Sequence, residues 1–234
     1  LILAGILVLL AIFIWKFNLP RILDAEANEK TEGSFKDALS FRHLRLGVIG
    51  IFVYVGAEVA IGSFLVIYFT DSLNLSITEQ QAAGYVSFYW GGAMIGRFIG
   101  SALLQKFNAG KFLGFATILA MVLVALTIST GGMFALWAIL AVGLFNSVMF
   151  PTIFTLAIKD MGSLTGRASS MLVMAIVGGA VIPLLMGFLA DTINLKYAFF
   201  LPIFCYLYIM FYGFKGSEVV QDTSVLHKQS PASE

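Results

Sequence analysis

Charge is scarce in this chain. Asp, Glu, Lys and Arg make up only 12% of the 234 residues, while 59% are hydrophobic; soluble domains carry about twice that charge fraction. The 14 basic and 13 acidic residues nearly cancel, so no basic surface exists to hold nucleic acid. The single cysteine, Cys205, excludes an internal disulfide. The two histidines, His43 and His227, both lie outside the apolar runs. Hydrolytic and redox signatures are missing too: there is no HExxH, no CxxC, no GxSxG and no phosphate-binding glycine loop. These absences argue against an enzyme and against any cofactor or metal.

What is present is apolar sequence in long stretches. Runs occupy about 1–15, 46–69, 83–105, 112–129, 133–158, 168–190 and 197–214. A spanning helix needs about 20 apolar residues, and continuous rather than alternating runs exclude an outer-membrane barrel. The chain is therefore expected to be an all-α membrane protein. The first run, LILAGILVLLAIFIW, has 15 residues, roughly 22 Å of helix. It is expected to be the end of a longer helix. The other six are full spans.

Lys and Arg set the orientation. All of the 14 basic residues except Lys196 fall on one set of alternate loops. By the positive-inside rule that set is cytoplasmic. It comprises a linker over 16–45, two basic turns and a polar tail over 215–234 that reads as disordered. The stretch SFKDALSFRHLRLG at the end of the linker predicts a short interfacial helix. His43 within it is expected at headgroup level. The six spans over 46–214 divide into two triplets, 46–129 and 133–214, of opposite orientation. An inverted 3+3 repeat of this kind is typical of half a secondary transporter.

Within this apolar setting, a few polar residues need a reason. Glu58 is the only charged residue between Leu46 and Phe69 and sits near the middle of that span. A charge there costs about 2.5–3.5 kcal/mol on insertion scales, so such residues usually face a cavity or partner. Tyr54 and Gly62, four residues either side, share its face. Tyr54 and Glu58 together can hydrogen-bond sugar hydroxyls, and a buried carboxylate can also carry a proton. The alternative is a structural carboxylate paired with Arg97. Asn146 sits centrally in the first helix of the second triplet, where repeat symmetry sets it beside Glu58 as a candidate substrate contact, and Pro151 five residues later permits a bend. Its alternative role is helix–helix glue. Gly92, Gly96 and Gly100 form a stripe for close helix packing, continued by Tyr85 and Tyr89, which are candidates to face a cavity. Arg97 is either a snorkelling residue or part of a gate. Gly178, Gly179 and Pro183 mark a bent helix. Asp191 is a candidate gate at its outer end.

The blocks FVYVGAEVAIGSFLVIYF, YWGGAMIGRFIGSALL, GLFNSVMFPTIFTLAIKDMG and LVMAIVGGAVIPLLMGFLAD resemble the C-terminal half of a major facilitator superfamily sugar transporter. They are most similar to the fucose:proton symporter family, on its glucose/galactose branch. The resemblance covers about 1–215. It implies twelve helices in two halves, with residues 1–15 ending helix six and 46–214 forming helices seven to twelve. It also implies a hexose substrate, a coupling proton or sodium ion, a bacterial inner-membrane location and a missing N-terminal half as partner. The family's site residues map onto Glu58 and Asn146. Ile67 stands where the resemblance implies Asn. The expected function is thus hexose symport by alternating access. The alternatives are transport of another solute, or a non-transporting receptor or structural subunit. An organic-acid site calls for a midplane cation, and none is evident in these runs.

Overall fold

The computed structural model describes residues 2–16 and 34–219, apart from residue 74. Most of the predicted linker and the tail beyond residue 219 lie outside the described residues. The chain divides into two compact units, Leu1–Glu32 and Gly33–Glu234. In the first, α1 (Ile2–Lys16) is apolar up to its last residue, Lys16. In keeping with its composition, it is shorter than a membrane-crossing helix.

The second unit is helical throughout its described residues. It opens with the short helix α2 (Phe35–Ser40), where Ser34 and Asp37 form a reciprocal capping box. It falls in the stretch for which the sequence predicts a short helix. Next come α3 (Arg42–Ile67), which continues as a π turn over Tyr68–Ser72, and α4 (Glu79–Leu104), started by a Thr78/Gln81 capping box. Asn108 caps α5 (Ala109–Ser129). A broken rod follows, α6 (Gly132–Asn146) and α7 (Met149–Ala157). A second broken rod comprises α8 (Thr165–Met174), a 3₁₀ turn over Ala175–Val177, and α9 (Gly178–Thr192). The unit ends with α10 (Leu195–Ala198) and α11 (Phe200–Phe211), which runs into a π turn over Tyr212–Gly216.

Among the described residues five of these rods are long and apolar enough to cross a membrane: Arg42–Ser72, Ala109–Ser129, Gly132–Ala157, Gly162–Thr192 and Leu195–Gly216. The protein is therefore an all-helical membrane protein. Helix α4 is as long as its neighbours, but Glu79, Gln80, Gln81 and Arg97 make it more polar.

Close packing is set by glycine and satisfied by tyrosine. Helix α3 packs on α9, α11 and α7, and α6 packs on α4 and α5. A Cβ at Gly178 would overlap the Phe52 carbonyl oxygen, and one at Gly96 would overlap that of Leu144. The predicted glycine stripe thus faces α6 directly. Five tyrosines, at positions 54, 68, 89, 206 and 212, are among the largest fully buried side chains. With no water in a hydrocarbon interior, their hydroxyls need partners within the protein. Tyr68 donates to the Thr127 carbonyl at 3.0 Å and Tyr212 to that of His43 at 3.3 Å.

His43 is enclosed by protein. It is 1% exposed, with Nε2 at 3.0 Å from the Lys159 carbonyl oxygen. Helix α3 begins at Arg42, one turn before the apolar run starts at Leu46, and that extra turn sets His43 against the chain at Lys159.

Candidate functional site

The break between α6 and α7 organises the site. Pro151 has no N–H to offer the Ser147 carbonyl four residues earlier, and the rod is interrupted at Ser147–Val148. Carbonyls at the end of α6 are thereby left without helical partners. One of them, that of Asn146, accepts the Tyr54 hydroxyl of α3 at 2.8 Å.

The Asn146 side chain completes a buried hub. Its Nδ2 donates to the Tyr89 hydroxyl at 2.9 Å, and its Oδ1 accepts from the Tyr206 hydroxyl at 2.7 Å. One residue thus joins α3, α4, α6 and α11, and Asn146, Tyr89 and Tyr206 are all fully buried. Tyr206 went unnoticed in the sequence because it is one of three tyrosines in the run CYLYIMFY, and nothing in their spacing singles it out.

In front of this hub lies a recess of about 490 Å³, lined by Tyr54, Val55, Glu58, Arg97, Phe150, Pro151 and Ile176. Helices α3, α4 and α7 and the 3₁₀ turn before α9 contribute the walls. Glu58 is partly buried one turn beyond Tyr54 and faces both the Tyr54 hydroxyl and the charge of Arg97. No ion pair joins Glu58 to Arg97, and among the described residues Arg97 makes no hydrogen bond. Arg97 lies beside Gly96 on the packed face of α4 yet lines the recess. Phe150 forms an apolar wall, its ring 6.2 Å from that of Tyr54.

The structure thus brings Tyr54, Glu58, Arg97 and Pro151 together at one recess, with Asn146 and Tyr89 directly behind it. Tyr85 stands apart in an aromatic cluster with Phe69, Phe88 and Trp137. Gly62 faces the indole of Trp90 at 3.5 Å from a built Cβ. Gly178 and Gly179 press α9 onto Phe52, Val55 and Val59 of α3. Pro183 lies within α9, and Asp191 is exposed next to its end. A carboxylate that accepts, a guanidinium that only donates and an intervening aromatic wall suit a ligand with hydroxyls on its edges and C–H groups on its faces.

Residues 1–176 match the model of the Major Facilitator Superfamily. The chain belongs to this superfamily. As a member of a transporter superfamily it is not an enzyme. Among curated relatives, a "Glucose/galactose transporter" of Brucella abortus is 52% identical over 82% of this chain and 46% of its own length. A "Putative glucose/galactose transporter" of Helicobacter pylori is 47% identical over 89% of this chain and 51% of its own. The crystal structure of the Escherichia coli fucose:proton symporter superposes with a TM-score of 0.80 at 33% identity, covering 91% of this superfamily member and 53% of the symporter. The chain thus spans about half the length of the relatives it matches.

Proposed function

We propose that this chain forms the C-terminal half of a hexose symporter of the glucose/galactose or fucose type, working by alternating access in a bacterial inner membrane. On this reading α1 ends the sixth helix, residues 16–45 form the cytoplasmic linker, and 46–214 hold six spans, α4 included, as an inverted 3+3 repeat. The chain beyond the π turn at Tyr212–Gly216 is a cytoplasmic tail. The partner is an N-terminal half that closes over the recess, and a proton, or else sodium, couples transport. The names of the relatives and the half-length match support this arrangement.

The observation that carries the proposal is the recess, where Glu58 and Arg97 face one another beside Phe150. Glu58 and Tyr54 bind sugar hydroxyls, and Glu58 is the candidate proton carrier of this half. Asn146 and Tyr89 hold Tyr54 and α4 in place behind the sugar, while Tyr85 sits further along α4. Pro151, Gly178, Gly179 and Pro183 supply the bends, Arg97 the inner side of the gate, and Asp191 its outer end.

Proteoliposomes containing the full-length protein test this reading. A hydrogen bond to a charged group is worth about 1.5–3 kcal/mol, so Glu58→Gln is expected to slow hexose counterflow at least about tenfold. Preserved counterflow with lost pH-driven accumulation would make Glu58 the proton carrier and not a ligand. If both were unchanged, Glu58 would have no part in transport.

A further inference from the structure

Two opposite charges share one recess without neutralising each other by contact. Glu58 and Arg97 both line it, and they form no ion pair. Arg97 is exposed at the mouth of the recess and Glu58 is half-buried, so once another half covers them neither charge has a contact partner to offset its desolvation. The helices that carry the two groups are seated on the same neighbour: α3 is tied to α6 through Tyr54, and α4 packs on α6 at Gly96. Each charge lies in the field of the other.

Resting on the sugar-transport reading, we propose that Glu58 and Arg97 act as a charge-balanced specificity pair. The pair admits an uncharged polyol between an acceptor pole and a donor pole, and it rejects sugars that bring a charge of their own. With Glu58 ionised, this half contributes no net charge to the recess. A hexuronate carboxylate would be drawn to Arg97 but repelled by Glu58. A hexosamine ammonium would meet the reverse. Either sugar leaves one net charge in a site of low dielectric, where interactions at close range reach several kcal/mol.

The geometry predicts a reversal of sign between two variants. Charges contributed by the other half of the transporter act equally on both, so they shift the baseline but not the difference. Purified full-length protein would be titrated with labelled glucose, glucuronate and glucosamine. Glu58→Gln leaves Arg97 unopposed and is expected to bind glucuronate at least about tenfold more tightly than the parent does, and glucosamine more weakly. Arg97→Gln is expected to do the opposite. The double variant Glu58→Gln/Arg97→Gln restores neutrality and should reject both charged sugars again. A thermal melt of each variant separates lost folding from lost binding, and either single variant carries the sign prediction if the other fails to fold. The proposal is overturned if affinity for both charged sugars merely follows affinity for glucose in folded variants. A parent that binds neither glucose nor galactose would instead remove the sugar-transport reading on which the pair depends.

Discussion

Asn146→Leu is expected to loosen the whole helical unit, not only the recess. Leucine fills nearly the same space but offers neither donor nor acceptor. The Tyr206 hydroxyl loses the oxygen that it donates to at 2.7 Å, and the Tyr89 hydroxyl loses the amide donor at 2.9 Å. Both tyrosines are 0% exposed, so water cannot take over. A buried polar group left unpaired costs about 1–3 kcal/mol. Hydrogen bonds between membrane helices average nearer 0.6 kcal/mol, because the unfolded chain in a bilayer also finds partners. Two such losses place the effect at about 1–4 kcal/mol. The bond from Tyr54 goes to the Asn146 backbone and survives the substitution. Denaturation in detergent, followed by the melting transition, measures the loss. Adding Tyr206→Phe to Asn146→Leu should recover part of it, since the orphaned hydroxyl is then gone. Additive losses would show that the hub is not a unit.

Gly178→Ala is the second large effect. Helices α3 and α9 share the most extensive packing in the unit, and at their crossing Gly178 meets backbone rather than a side chain. A methyl group there would overlap the Phe52 carbonyl oxygen and crowd its carbon at 2.7 Å. No rotamer can relieve this, so the helices must separate. Overpacking of a core costs about 1–3 kcal/mol, and this site belongs at the upper end. Gly84→Ala is the control: nothing lies within 4 Å of its built Cβ. Alanine is favoured over glycine in a helix by about 0.8–1 kcal/mol, so that variant should be neutral or slightly more stable. Equal behaviour of the two variants would contradict the packing argument.

How much of this was legible in the sequence depended on the kind of signal. Helix positions were readable because hydrocarbon demands long apolar stretches, and each predicted run after the first has a helical rod over it. The ends were less readable. Polar residues continue α3 back to Arg42 and start α4 at Glu79, where capping by Thr78 and Gln81 replaces hydrophobicity as the cause. Glu58 announced itself by its isolation, and Pro151 and Gly178–Gly179 by their chemistry. The Asn146 hub did not, because hydrogen bonds among Tyr54, Tyr89, Tyr206 and Asn146 join positions 57 to 92 residues apart. The seating of Arg97 stayed open in the sequence for a related reason. Its neighbour Gly96 marks the packing face of α4, and the rotation that turns Arg97 toward Glu58 follows from the seating of α4 on α6.

The central claim is that sugar binds in the recess between α3 and α7. A photoreactive hexose analogue, irradiated with the full-length protein and mapped by mass spectrometry, tests it most directly. The account predicts labelling on segments 54–58 and 150–151 that is competed away by unlabelled glucose or galactose. Sugar-competed labelling confined to other segments, with none on these two, would contradict it.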